Sequence, residues 1–110
     1  MRPVPINLRK EISEDPFMAK CCYTGETQDI SWEHCWIYAG KQINERWAIV
    51  PLVRRLNTSG MLPEIKNFCR WVSIMRASKE DLEKYPKKDW AQEKKNLDRM
   101  FLKGIYVNKL

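Results

Sequence analysis

An α+β fold is what this sequence predicts, and three observations predict it. Residues 30–36 (Ile-Ser-Trp-Glu-His-Cys-Trp) alternate in the two-residue period of a strand, and residues 47–53 (Trp-Ala-Ile-Val-Pro-Leu-Val) form a short apolar run suited to a second, buried strand. From Pro63 onward the apolar period lengthens to that of a helix. At 110 residues the chain is one domain's worth of polypeptide, with room for one modest core. The architecture expected is a two-stranded unit followed by two or three helices.

Residues 1–20 hold three of the six prolines (Pro3, Pro5, Pro16) and no clear periodicity. They read as an N-terminal arm lying over the domain, with one turn near Leu8 to Ile12. Thr24-Gly25-Glu26 is a turn signal that introduces the first strand, in which Ile30, Trp32, His34 and Trp36 share a side. Gly40 to Arg46 is polar and looplike, and Pro51 places the end of the second strand at an edge or bulge. Pro63 suits a first helical position, and Ile65, Phe68, Cys69, Val72 and Met75 recur as that helix's apolar face. Ser78-Lys79-Glu80-Asp81 reads as a capped start of a short helix that buries Leu82 and Tyr85 and stops at Pro86. Asp89 caps a last helix with Trp90, Leu97 and Phe101 on one face, ending near Gly104. In domain terms, residues 21–75 are the core and residues 76–110 a basic helical extension of the same domain.

The charge is +6, and it is uneven: residues 1–30 sum to −1, residues 31–75 to +3 and residues 76–110 to +4. A basic surplus suits a polyanion, because each neutralised phosphate releases condensed counterions. Charge alone suggests a nucleic-acid partner and equally suits a merely soluble basic domain; a protein partner and the oligomeric state are open. No apolar run reaches the roughly 20 residues that cross a bilayer, and the N-terminus lacks the apolar stretch of a secretory signal. The four cysteines (Cys21, Cys22, Cys35, Cys69) include no CxxC pair, so reduced, mostly buried thiols in the cytoplasm are expected. The five tryptophans mainly supply core area that so small a fold otherwise lacks.

His34 is the sole histidine, directly after Glu33 and just before a polar loop. Adjacent strand residues point to opposite faces, so the two share a small site only at a strand end or a bulge. The stretch Cys21 to Asn57 resembles the HNH, or ββα-metal, nuclease family. The likeness rests on the cysteine-glycine turn Cys21-Cys22-Tyr23-Thr24-Gly25, then Trp32-Glu33-His34, a loop, and Trp47-Ala48-Ile49-Val50-Pro51-Leu52. Trp32-Glu33-His34 with Ile37-Tyr38-Ala39-Gly40-Lys41-Gln42-Ile43-Asn44 is similar to a group of small HNH-type proteins of bacteriophage genomes. The weaker likeness through Met75-Arg76-Ala77-Ser78 extends it over roughly residues 21–100.

The resemblance implies a ββα-metal hairpin-plus-helix core with additional C-terminal helices, a divalent-metal-dependent DNA endonuclease activity, and the host cytoplasm as its place. It makes His34 the general base that takes a proton from the attacking water; an imidazole's ordinary pKa of about 6.5 suits that task at neutral pH. It makes Glu33 one ligand of Mg²⁺ or Mn²⁺ and puts Asn57 where the family's final ligand stands. Lys41, Arg54 and Arg55 flank this site and would hold phosphates. The chain departs from the family pattern at three points. Ala48 falls where a buttressing Asn belongs, leaving Asn44 or Gln42 to stand in. Thr24, Val53 and Leu56 replace three of the four cysteines of a zinc knuckle, keeping only Cys21, so structural zinc is not expected. Asn57 replaces a histidine. The alternative reading is a catalytically degenerate HNH-like scaffold that binds DNA or a protein.

Overall fold

The computed structural model describes residues 4–102. It is a mixed α+β fold with two small antiparallel sheets and four α-helices among those residues: α1 (Ile6–Glu14), β1 (Ile30–His34), β2 (Ile37–Tyr38), β3 (Lys41–Gln42), β4 (Ile49–Val53), α2 (Pro63–Arg76), α3 (Lys79–Glu83) and α4 (Trp90–Leu102). Single 3₁₀ turns occupy Pro16–Ala19, Arg46–Ala48 and Arg54–Leu56. None of the described helices is long and apolar enough to cross a membrane.

β1 and β4 pair antiparallel in the register Ile30↔Val53, Ser31↔Leu52, Trp32↔Pro51, Glu33↔Val50 and His34↔Ile49. Opposed residues of such a pair share a face. Ser31, Leu52, Glu33 and Val50 therefore look one way. Val50 and Leu52, both fully buried, lie in one cluster with Phe68 and Cys69 of α2 and Leu97 and Phe101 of α4. Trp32 and Ile49 look the other way, where Ile49 packs with Ile12 of α1 and Met18. The small sheet is thus covered on both faces, which is why all five residues of β4 are buried. Burying a side chain such as Leu52 or Phe101 contributes about 1.5–3 kcal/mol.

Three of the five tryptophans, Trp36, Trp47 and Trp90, are core residues that meet edge to face, with centroids 5.1 Å apart for Trp36–Trp90 and 5.6 Å for Trp47–Trp90. A buried indole usually finds an acceptor for its N–H, and two of the three do, while the Trp47 N–H is enclosed without a partner among the described residues. Trp36 donates to Ser73 Oγ at 2.7 Å, and Trp90 to the Tyr85 carbonyl at 2.9 Å.

The three C-terminal helices start where their sequence signals put them, although α3 ends at Glu83, short of the expected stop at Pro86. Pro63 opens α2, Ser78 and Asp81 form a reciprocal capping box at α3, and Asp89 Oδ1 accepts the Gln92 N–H at the start of α4. Trp90, Leu97 and Phe101 are the buried residues of α4. The expected end near Gly104 lies outside the described residues.

Four further details differ from the sequence expectation. The first strand stops at His34, because Trp36 leaves the pleat to enter the helical cluster. Trp47 and Ala48 form part of a 3₁₀ turn rather than the start of β4. The polar segment after Gly40 contains β3, closed on β2 by a turn with Ala39 and Gly40 both at positive φ. Finally, α2 is rotated slightly: Ser73 and Ile74 are buried and Met75 is 55% exposed, because Ser73 is needed inward as the acceptor for Trp36.

The N-terminal segment is more than an arm. Residues 6–14 form a helix anchored by Ile12, which is wholly buried. Asp15 then caps the Pro16–Ala19 turn through Phe17 N and bonds Arg46 Nε at 3.0 Å and Arg76 Nη2 at 2.8 Å. Burial pushes its carboxyl pKa up, but the bonds from Arg46, Phe17 and Arg76 overcome this and hold it below the ordinary value.

Candidate functional site

His34 closes β1, and its ring is fixed from the loop that follows: Nε2 lies 2.8 Å from Asn44 Oδ1. With an amide oxygen as the acceptor, the ring proton sits on Nε2 and Nδ1 keeps its lone pair. Nδ1 is enclosed and has no hydrogen-bond partner. Asn44 also lines an open cleft of about 740 Å³ with Glu11, Arg46, Trp47, Arg76 and Lys84. Ala48 is fully buried, with no side-chain hydrogen-bonding group to offer. Of the two possible stand-ins, Asn44 makes the contact to His34.

Glu33 lies on the other face of the strand, directed toward α2 by its pairing with Val50. Burial holds its carboxyl above the usual range, opposed by the charges of Lys66 and Arg70, one helical turn apart on α2. Glu33 and His34 are thus adjacent in sequence and separated by the plane of the sheet, as strand alternation dictates.

Asn57 follows the Arg54–Leu56 turn. Its Nδ2 donates to Ser31 Oγ at 2.9 Å, and Ser31 in turn donates to the Leu52 carbonyl at 2.7 Å. Ser31 is two residues before Glu33, about 6.6 Å along the strand on the same face. Asn57 is therefore placed toward the Glu33 side of the sheet. Together with Ser31, Trp32 and Arg54 it lines a second open cleft of about 460 Å³.

The three basic residues expected to hold phosphate are not gathered at one point. Arg54 pairs with Asp29 at 3.0 Å, and Arg55 pairs through both terminal nitrogens with Glu26. The Arg55 guanidinium holds the Glu26 carboxyl below its ordinary pKa. Both pairs are exposed, and exposed pairs are weak enough for a phosphate to compete. Lys41 is in β3, opposite Tyr38, with no hydrogen bond or ion pair to His34 or Glu33 among the described residues.

At the zinc-knuckle positions, Cys21 Sγ accepts the Thr24 N–H at 3.4 Å, while Val53 is buried and Leu56 packs against the core. All four cysteines are free thiols. Among the described residues, no three His, Cys, Asp or Glu side chains gather as a metal site.

Lys66 and Arg70 carry the charge facing Glu33, and sequence reasoning passed over them. The available signal was their i, i+4 spacing beside the apolar stripe of α2. Comparison of the chain with protein-family models, with curated proteins and with solved structures finds no match.

Proposed function

We propose that this chain is an HNH-type DNA endonuclease of the ββα-metal kind, with His34 as general base in a divalent-metal-dependent hydrolysis of phosphodiesters. The observation that carries this reading is the His34–Asn44 pair. Asn44 fixes the proton on Nε2, so Nδ1 is the nitrogen able to accept a proton from water. The order of a β1–β4 hairpin followed by α2 supports it. Nδ1 is enclosed in the free protein, so on this reading water reaches it only when the surroundings of the ring shift as substrate seats.

Glu33 and Asn57 carry the oxygen donors that a hard divalent cation takes. Glu33 is a half-buried carboxylate whose burial outweighs the two cations facing it. Asn57, with Nδ2 committed to Ser31, has its amide oxygen to offer. Magnesium commonly uses one or two such protein oxygens and fills its remaining positions with water and substrate phosphate. When bound, the cation would supply charge stabilisation at the phosphate and the departing oxygen. Glu33 and Asn57 would hold it; Arg54 and Arg55 would exchange their carboxylate partners for the DNA backbone.

A second reading is favoured by the separation of Glu33 from His34 across the sheet and by the enclosure of Nδ1: a scaffold that binds DNA or a protein without cleaving. Incubating supercoiled plasmid with the protein in Mg²⁺, Mn²⁺ or EDTA, beside His34→Ala, separates them. Metal-dependent relaxation lost in His34→Ala is the expected result. Absence of cleavage by a folded protein with every metal would replace the enzyme reading with the scaffold.

A further inference from the structure

We infer that Lys66 and Arg70 of α2 form a phosphate-binding site beside Glu33, which takes a phosphodiester group of the DNA backbone. The inference deepens the proposed DNA reading and rests on it for the identity of the ligand.

Arg70 is prepared for an anion. Its Nε donates to the Cys35 carbonyl at 3.2 Å, and its guanidinium lies over the Trp36 ring, 5.5 Å from the centroid. These two contacts fix the plane of the group while its terminal nitrogens make no hydrogen bond to a described residue. A fixed guanidinium with both terminal nitrogens available has the fork geometry that phosphate oxygens accept two at a time.

Lys66 is one helical turn away and exposed, and neither cation forms an ion pair with a described carboxylate. Lys88 adds a third positive charge over the same Trp36 ring at 5.5 Å, although it also pairs with Glu93 at 3.4 Å. Two cations of α2 therefore face one half-buried carboxylate, a net positive locus where β1 meets α2. Glu33 is the charge that opposes an incoming phosphate. This gives the site a signature that a simple basic patch lacks: neutralising Glu33 strengthens metal-free binding.

The test is fluorescence anisotropy of a short fluorescein-labelled DNA duplex in EDTA across a salt series, with the full chain and its variants. Arg70→Gln is expected to weaken binding about tenfold and to lower the salt slope by about one. Lys66→Gln should weaken it about threefold, Arg70→Lys should fall between wild type and Arg70→Gln, and Glu33→Gln should tighten it severalfold. Lys10→Gln on α1 measures the generic effect of one lost charge, and thermal melts confirm that each variant folds. Losses in Arg70→Gln and Lys66→Gln no larger than in Lys10→Gln, or weaker binding by Glu33→Gln, overturn the site. A wild-type protein that does not bind the duplex sinks the DNA reading, and inorganic phosphate then decides the site at constant ionic strength. A saturable shift of the Trp36 indole N–H that disappears in Arg70→Gln keeps the phosphate site; no saturable shift removes it.

Discussion

Asn44 stands ten residues beyond His34 in the chain and 2.8 Å from it in space, amide oxygen to ring nitrogen. The loop that carries it contains β2 and β3, and it returns to the hairpin through the Arg46–Ala48 turn. With the amide oxygen toward the ring, that contact favours the Nε2–H tautomer of the neutral imidazole. In Asn44→Ala the acceptor is lost, and the proton redistributes between the two nitrogens. Nitrogen NMR of His34 should show a rise in the Nδ1–H form. Cleavage should fall about 10–100-fold with little change in melting temperature. An unchanged tautomer ratio would remove Asn44 from this role.

Asp15 gives the fold an acid-sensitive element. Its folded pKa is depressed from 3.8, so its contribution is fully present above that value and is lost as pH falls through the lower, folded value. Asp15→Asn keeps the shape but leaves Arg46 and Arg76 without their shared anion, at an expected cost of about 2–3 kcal/mol near neutral pH. Urea unfolding of both proteins at neutral pH and in acid checks this: the gap should narrow as the solution is acidified below about pH 4. A gap independent of pH would mean that the carboxylate's charge contributes nothing.

Ser73 is wholly buried and receives the Trp36 indole N–H at 2.7 Å. Ser73→Ala leaves that donor unpaired in the core, costing about 1–3 kcal/mol. Trp36→Phe removes the donor as well as aromatic area. A double-mutant cycle in urea should therefore show Ser73→Ala to be nearly neutral in the Trp36→Phe background. Additive costs would mean that the hydrogen bond is not what Ser73 supplies.

The turn between β2 and β3 carries Ala39 at φ 52° and Gly40 at φ 79°. Two successive positive φ values are the pattern for which Asn-Gly is preferred, and alanine is strained at the first of them. Ala39→Asn should stabilise the protein by about 0.5–1 kcal/mol, seen as a rise of a few degrees in melting temperature. A lower melting temperature would place the strain elsewhere.

Much of this architecture was legible because its signals are local. The box at Ser78, the cap at Asp89 and the period of Trp90, Leu97 and Phe101 each lie within a few residues of the element they define. Apart from the short β2–β3 hairpin and the Arg46–Ala48 turn, the losses were tertiary. α1 has one deeply buried residue, Ile12, so it shows little periodicity; a distant Ile49 and Met18 make it a core element. Met75 fits an apolar stripe as well as Ile74 does, and Ser73 displaces it because of an indole 37 residues away. At the candidate site, alternation alone separated Glu33 from His34, since that rule follows from the backbone. The charges of Lys66 and Arg70 were not legible as partners of Glu33, because their meaning depends on where α2 crosses the sheet.

The carboxylate of Asp15 also ties together parts of the chain that are far apart in sequence. Arg46 lies 31 residues beyond it in the chain and Arg76 lies 61 residues beyond it. The contacts that seat the N-terminal segment against the core are therefore long-range ones, and they incur the loop-closure entropy that local helical contacts avoid.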